Sequence, residues 1–93
     1  GLYDNYPNPF NPETQIGFQL PAPGRVELDL YNSRGQHVRS LYSGRMETGT
    51  HRIRWDGKNI QGMDMSSGVY LLHIAFESEK RVLQKTLKMI KLK

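Results

Sequence analysis

Two runs decide how this chain is read: His51-Arg52-Ile53-Arg54-Trp55-Asp56-Gly57 and Ser67-Gly68-Val69-Tyr70-Leu71-Leu72-His73-Ile74. In the first, His51, Ile53 and Trp55 alternate with Thr50, Arg52 and Arg54. A period of two is what a strand half-buried on one face requires. The second run, continued to Phe76, is apolar at most positions on both faces, which predicts a strand near the middle of a sandwich and covered on both sides. The stretch between them, Asp56 to Gly68, is rich in Asp, Asn and Gly. The two runs are therefore expected to form a hairpin-like central pair whose loop closes one end of the fold. Trp55 is the only tryptophan. It is the expected core anchor, because a buried indole removes more apolar area than any other side chain here.

Outward from this pair, strand-like alternation continues in both directions. Thr14 to Leu20 places Ile16, Phe18 and Leu20 on one face. Pro21-Ala22-Pro23-Gly24 is a turn. Arg25 to Tyr31 sets Val26, Leu28 and Leu30 inward, with Glu27, Asp29 and Tyr31 outward. Asn32-Ser33-Arg34-Gly35 is a hairpin signal. From Gln36 to Tyr42, Leu41 falls out of phase with Val38, so a bulge or a short strand is expected there. Ser43 to Gly49 reads as a polar loop, Glu77 to Lys80 as a short turn, and Arg81 to Lys93 as the last strand. This is an all-β chain, with about six or seven strands at the spacing expected of a β-sandwich.

Residues 1–13 are different. Pro7, Pro9 and Pro12 each remove an amide donor and fix φ, which excludes helix and inner strand. The expectation is an extended, polyproline-like lead-in whose aromatics Tyr3, Tyr6 and Phe10 pack on the domain formed by residues 14–93.

The totals narrow the function. The chain has 93 residues, enough for one domain with a thin core. It has no cysteine, which excludes disulfides and thiolate metal sites. No apolar run approaches the ~20 residues of a membrane-spanning helix. The chain opens on Gly1 rather than Met, as expected of a piece excised from a longer protein or of a scar left by tag removal, and any export signal of the parent would lie upstream. The net charge is +4, but six of the thirteen Lys and Arg fall in residues 80–93 and the others are scattered among nine acids. Without an RNA-binding aromatic motif, a helix-turn-helix pattern or a phosphate loop, that charge fits solvated strand faces better than nucleic acid.

No catalytic constellation is legible, and the expectation is a non-enzymatic domain without a cofactor or metal. His37, His51 and His73 lie in separate strands. Asp56, Asn59 and Asp64 carry oxygens of the kind calcium takes, but their spacing is not that of an EF-hand, and Asp and Asn are ordinary turn formers. Tyr3, Tyr6, Tyr31 and Tyr42 could stack on sugars; their scatter over several elements fits β propensity better. The last strand mixes Lys with Leu87, Met89, Ile90 and Leu92, as an edge strand with protective charges would.

The motifs together are similar to a known family. Asn5-Tyr6-Pro7-Asn8-Pro9-Phe10-Asn11-Pro12 resembles the opening of type A C-terminal sorting domains of the type IX secretion system, which are related in fold to the Ig-like domain of the flagellar hook-cap protein. The resemblance continues through Leu30-Tyr31-Asn32, Gly35-Gln36, Val38, Gly49-Thr50-His51 and Trp55-Asp56-Gly57. It then takes in Gly62, Ser67-Gly68-Val69-Tyr70 and Lys88-Met89-Ile90-Lys91-Leu92-Lys93. It implies an Ig-like β-sandwich of about seven antiparallel strands in two sheets, a C-terminal module that directs a larger exported protein across the outer membrane to the cell surface or the medium. The implied partners are the outer-membrane secretion machinery, a sortase-like peptidase and an N-terminal cargo domain of the same chain. The sorting signal would be Gly68, Tyr70, Lys88, Met89, Ile90, Lys91, Leu92 and Lys93, with residues 85–93 as a terminal sorting strand. Lys91 departs from the family, which commonly runs apolar there, and Met63-Asp64-Met65 replaces a stretch that often carries Pro or Val. An accessory β-sandwich of a secreted polysaccharide-degrading enzyme is the alternative.

Overall fold

The computed structural model describes residues 3–92, and for Tyr3 the backbone alone. Seven strands form two antiparallel sheets: β1 (Tyr3–Tyr6), β2 (Thr14–Leu20), β3 (Gly24–Asn32), β4 (His37–Met46), β5 (Gly49–Trp55), β6 (Gly68–Glu77) and β7 (Val82–Lys91). The order is β1-β2-β5 in one sheet and β4-β3-β6-β7 in the other. This is the predicted Ig-like β-sandwich.

Its core follows from the alternation. Ile16, Phe18 and Leu20 of β2 face Val26, Leu28 and Leu30 of β3 and Tyr70, Leu72, Ile74 and Phe76 of β6, all buried. Apolar residues two apart share a face, so each strand has one low-energy orientation between the sheets. The predicted phase break in β4 is a double irregularity. Leu28 pairs with Tyr42 but Asp29 with Ser40, and Leu30 pairs with Arg39 but Tyr31 with His37. Leu41 and Val38 are the residues skipped, and both pack against the core as partly buried side chains. The β3–β4 hairpin closes where Asn32 Oδ1 accepts from the Arg34 and Gln36 amides at 2.9 and 3.0 Å.

Four expectations are corrected. The two deciding runs are not a pair: β5 binds β2, with Thr14 opposite Trp55, whereas β6 lies between β3 and β7. The loop between them crosses from one sheet to the other over the end of the sandwich. β6 is not covered on both sides. Val69, Leu71, His73 and Ala75 are half-buried on an outer face that no third layer of the described residues covers, and neighbouring side chains give partial shelter. Ser43 to Met46 is strand rather than loop, because pairing of Ser43, Gly44, Arg45 and Met46 with Glu27 to Gly24 overrides weak β propensity.

The fourth correction concerns the lead-in. Its start is an edge strand, β1, and bends at Pro7–Pro9 and Asn11–Pro12 interrupt the polyproline-like path. Phe10 is fully buried as expected, but Tyr6 is 78% exposed. Asn5 takes the inward position in β1, so alternation sends Tyr6 outward. Buried Asn5 donates through Nδ2 to Thr14 Oγ1 (3.2 Å) and to Pro7 C=O (3.3 Å), and Thr14 Oγ1 donates to the same carbonyl at 2.8 Å. That small network fixes where the lead-in turns.

Candidate functional site

The distinctive motifs, far apart in sequence, converge on the last residues of β7. Alternation makes β7 two-sided: Met89 and Lys91 point between the sheets and are buried, whereas Lys88 and Leu92 are exposed and Ile90 is half-buried on the outer face. On one side β7 pairs along its length with β6, Tyr70 opposite Met89 and Gly68 opposite Lys91.

On the other side sits the lead-in. Phe10 N–H donates to Ile90 C=O at 2.9 Å, and Leu92 N–H donates to Phe10 C=O at 2.9 Å, a parallel bridge centred on Lys91. Asn8 adds a side-chain version of the same contact. Its Oδ1 accepts from Ile90 N–H at 3.0 Å, and its Nδ2 lies 3.5 Å from Lys88 C=O. Residues 8–10 thus cap the edge that the end of β7 would otherwise leave open. Asn8→Ala should cost about 0.5–1.5 kcal/mol, since it removes one well-formed bond and one long one, both exposed to solvent. The Ile90 amide should exchange faster with solvent while Tyr70 and Leu72 amides keep their protection. Unchanged Ile90 exchange would mean that the cap is not formed in solution.

Below the cap is an aromatic stack. The Phe10 and Trp55 rings meet edge-on with centroids 5.4 Å apart, and Trp55 meets Tyr70 in the same way at 5.1 Å. Each polar handle is satisfied: Trp55 Nε1–H donates to Lys58 C=O at 2.9 Å and Tyr70 O–H donates to Ser66 C=O at 2.6 Å. Both acceptors belong to the loop between β5 and β6, so the stack also holds that loop. Gly57, at φ +80°, lies against both partners: an added Cβ would fall 2.5 Å from Pro12 O and 2.8 Å from Lys91 Cε.

The loop is tied to itself. Asp56 Oδ1 accepts from Lys58 N–H, and Asn59 Oδ1 accepts from the Gln61 and Met63 amides. Lys58 Nζ bonds Asp64 Oδ1 at 2.9 Å. That hydrogen bond, followed by the Lys58 charge, holds the Asp64 carboxyl below its ordinary range, and Lys91 contributes in the same direction. The oxygens of Asp56, Asn59 and Asp64 therefore serve turn geometry and an ion pair. Lys91 is 2% exposed, its aliphatic stem packed on Gly57. The stem fills an apolar position in the strand while its charge reaches the field of Asp64.

Of the residues singled out from sequence, Pro9 lies in the bend beside Asn8, and Gly68 is exposed at the start of β6. Lys93 lies outside the described residues. The roles of Asn5, Pro12, Thr14 and Lys58 had no local signal, because each acts through a backbone or side-chain partner chosen by the tertiary fold. The tyrosines offered as a sugar platform are dispersed. Tyr6 stands on β1 of one sheet, whereas Tyr31 on β3 meets the His37 ring edge-on and Tyr42 on β4 donates to Arg45 C=O.

The arrangement of lead-in, Trp-Asp-Gly turn and Gly-Val-Tyr strand falls within a matched span. A model of the FlgD Ig-like domain matches residues 5–80. The chain belongs to the FlgD Ig-like domain family. Within that family, the basal-body rod modification protein FlgD of Salmonella typhimurium is 32% identical over 62 residues, which cover 66% of this chain and 27% of the relative. The chain therefore spans about a quarter of that protein's length. FlgD from P. aeruginosa has the same fold at 21% identity, with a TM-score of 0.68 over 84% of this chain and 61% of its own. Two larger proteins of Porphyromonas gingivalis contain the fold as well. Dimeric latent PorU matches with a TM-score of 0.76 and 20% identity over 97% of this chain and 9% of PorU. PorZ, described as an essential bacterial surface component of the type-IX secretion system, matches with a TM-score of 0.60 and 22% identity over 98% of this chain and 11% of PorZ. β7 lies beyond the span matched by the FlgD Ig-like model.

Proposed function

We propose that this FlgD-type Ig-like domain is a non-catalytic sorting module of a larger exported protein. It would direct its cargo across the outer membrane by way of a type IX secretion system, to the cell surface or the medium. The observation that carries the reading is the convergence of the chain's distinctive motifs on the end of β7 rather than around a cleft. The lead-in caps that strand, Trp55 and Tyr70 underpin it, and Gly57 admits Lys91 beneath it. The fold shared with a described surface component of such a system supports the same reading.

In this reading the module is recognised folded. Met89 and Lys91 anchor the strand, while Lys88, Ile90 and Leu92 form its outer surface. The partners are the outer-membrane machinery and a sortase-like peptidase, with the cargo domain ahead of Gly1.

The test is localisation in a host with an active type IX system. A fluorescent reporter behind a signal peptide carries residues 1–93 at its C-terminus. One twin stops at Gln84, and a second bears Lys88→Glu with Lys93→Glu. The truncation removes Met89 and the partner of the Phe10 backbone, so its retention in the periplasm is expected but also follows from unfolding. The charge variant changes exposed Lys88 and the terminal Lys93, removes no apolar side chain, and decides the matter. Export of the parent fusion with retention of a folded charge variant is the expected result. Retention of a folded parent fusion would overturn the sorting role, and equal export of the charge variant would remove the terminal lysines from the signal.

A further inference from the structure

The edge of β7 is closed over only half its length. Both the N–H and the C=O of Ile90 bond outward, to Asn8 and Phe10. In an antiparallel ladder the residues two apart present their amides to the same side. Thr86 and Gln84 must therefore aim their N–H and C=O away from β6, along the same edge. Among the described residues, β6 is the only strand paired with β7, and the lead-in bridges β7 only at Lys91. Val82 to Thr86 is exposed apart from half-buried Leu83, and Val82 is 64% exposed. Half-buried Leu83 and Leu87 face inward at the rim of the sandwich, where the opposite sheet has one strand fewer.

We infer that the open half of β7, Val82 to Leu87, is a docking edge for an extended, acidic segment of a partner protein, which adds to the four-stranded sheet as a fifth strand. Backbone bonds to Gln84 and Thr86 would supply affinity, and alternate side chains would supply specificity. The acidic character follows from charge. Lys80, Arg81, Lys85 and Lys88 crowd this stretch, outnumbering the acids Glu77, which lies opposite Val82, and Glu79, and no ion pair among the described residues engages these four. Lys85 has inward parity yet is exposed, so a carboxylate at the rim can reach it. Apolar residues of the incoming strand would cover Leu83 and Leu87. A second copy is a poor occupant: two such edges side by side would confront lysine with lysine. The cap at residues 8–10 fixes where docking stops, because Ile90 and Leu92 already have their partners.

This inference rests on the domain being a recognition module, and its test is independent of export. The probe is a short synthetic peptide of alternating Glu and Val, with a twin of alternating Lys and Val, added to the isotope-labelled 93-residue chain. With the Glu peptide, amide exchange at Gln84 and Thr86 should slow about ten-fold or more, with Ile90 and Leu92 unchanged. Lys85→Glu with Lys88→Glu should abolish the effect. So should Thr86→Pro, which removes an outward N–H and spares the bonds to β6. If the proline variant fails to fold, the charge variant still decides. Unaltered exchange at Gln84 and Thr86, equal binding of the Lys peptide, or protection on β1, β4 or β5 instead would overturn the docking edge. Export without peptide binding sinks the edge alone; peptide binding without export sinks the sorting role alone.

Discussion

Trp55→Ala is expected to lower stability by about 3–5 kcal/mol, the largest loss of any single truncation in this chain. The side chain is fully buried, between Phe10 from the lead-in and Tyr70 from β6. Its removal leaves a cavity that two edge-on aromatic contacts formerly filled, and adds the loss of the bond from Nε1 to Lys58 C=O. Domains of this size have roughly 5–15 kcal/mol in total, so the variant should sit near the edge of folding. Its melting temperature should drop by on the order of 15 °C or more, taking ~4–8 °C per kcal/mol for a small domain. Trp55→Phe retains an aromatic ring but not the donor, and its loss should be smaller. The check is thermal and urea unfolding followed by circular dichroism. If Trp55→Ala melts within a few degrees of the parent, Trp55 is not the anchor of the motif cluster. The stack also joins three parts of the chain, so the damage should spread: Ile90 and Leu92 amides should lose protection along with the loop from Asp56 to Ser67.

That spread shows where sequence reasoning reached its limit. Strand phase is a local property, so Ile16, Phe18 and Leu20, or Val26, Leu28 and Leu30, disclosed their inward faces directly. The slip between Val38 and Leu41 was equally visible, because a skipped residue leaves two apolar side chains out of step. Partner choice is not local. The alternation of β5 is the same whether it binds β6 or β2, and a loop of the length of Asp56 to Ser67 can close a hairpin or cross between sheets. Hence the face of Trp55 was legible and its neighbouring strand was not.

The site shows the same division. Burial of Phe10 was expected from an aromatic among prolines, but its backbone partners Ile90 and Leu92 are some eighty positions away and carry no pairing signal in sequence. Hydrophobicity alone places Tyr6 inward, but parity does not: Asn5, held by Thr14, takes the inward place. Lys91 departs from the apolar pattern common in sorting domains. Counting by twos from Met89 already places it inward, and a lysine with a long aliphatic stem can occupy such a place where a small residue lies opposite. Gly57 is that residue.

Gly57→Ala should therefore be destabilising well beyond the ordinary cost of a glycine replacement, and a matched control can separate the causes. Gly57 and Gly62 sit in the same loop at nearly the same backbone angle, φ +80° and +82°. Placing Ala in this left-handed region costs roughly 1–2 kcal/mol at either position. At Gly62 no atom of the described residues lies within 4 Å of the new Cβ, so Gly62→Ala should show that conformational cost alone. At Gly57 the new methyl meets Pro12 O at 2.5 Å and Lys91 Cε at 2.8 Å. The lysine stem can move, but the Pro12 carbonyl is backbone, held between buried Phe10 and buried Thr14. The lead-in must shift to admit the methyl, and that shift pulls on the bonds from residues 8–10 to the end of β7. The expected total is about 3 kcal/mol or more, from left-handed strain together with overpacking. Ile90 amide exchange should accelerate in Gly57→Ala and stay at the parental rate in Gly62→Ala. Equal losses in the two variants would show that the Trp-Asp-Gly turn needs its glycine for backbone conformation alone. A loss at Gly57 that is larger and accompanied by loosening at Ile90 would show that the glycine is needed for room, so that the lead-in and the terminal strand can close over it.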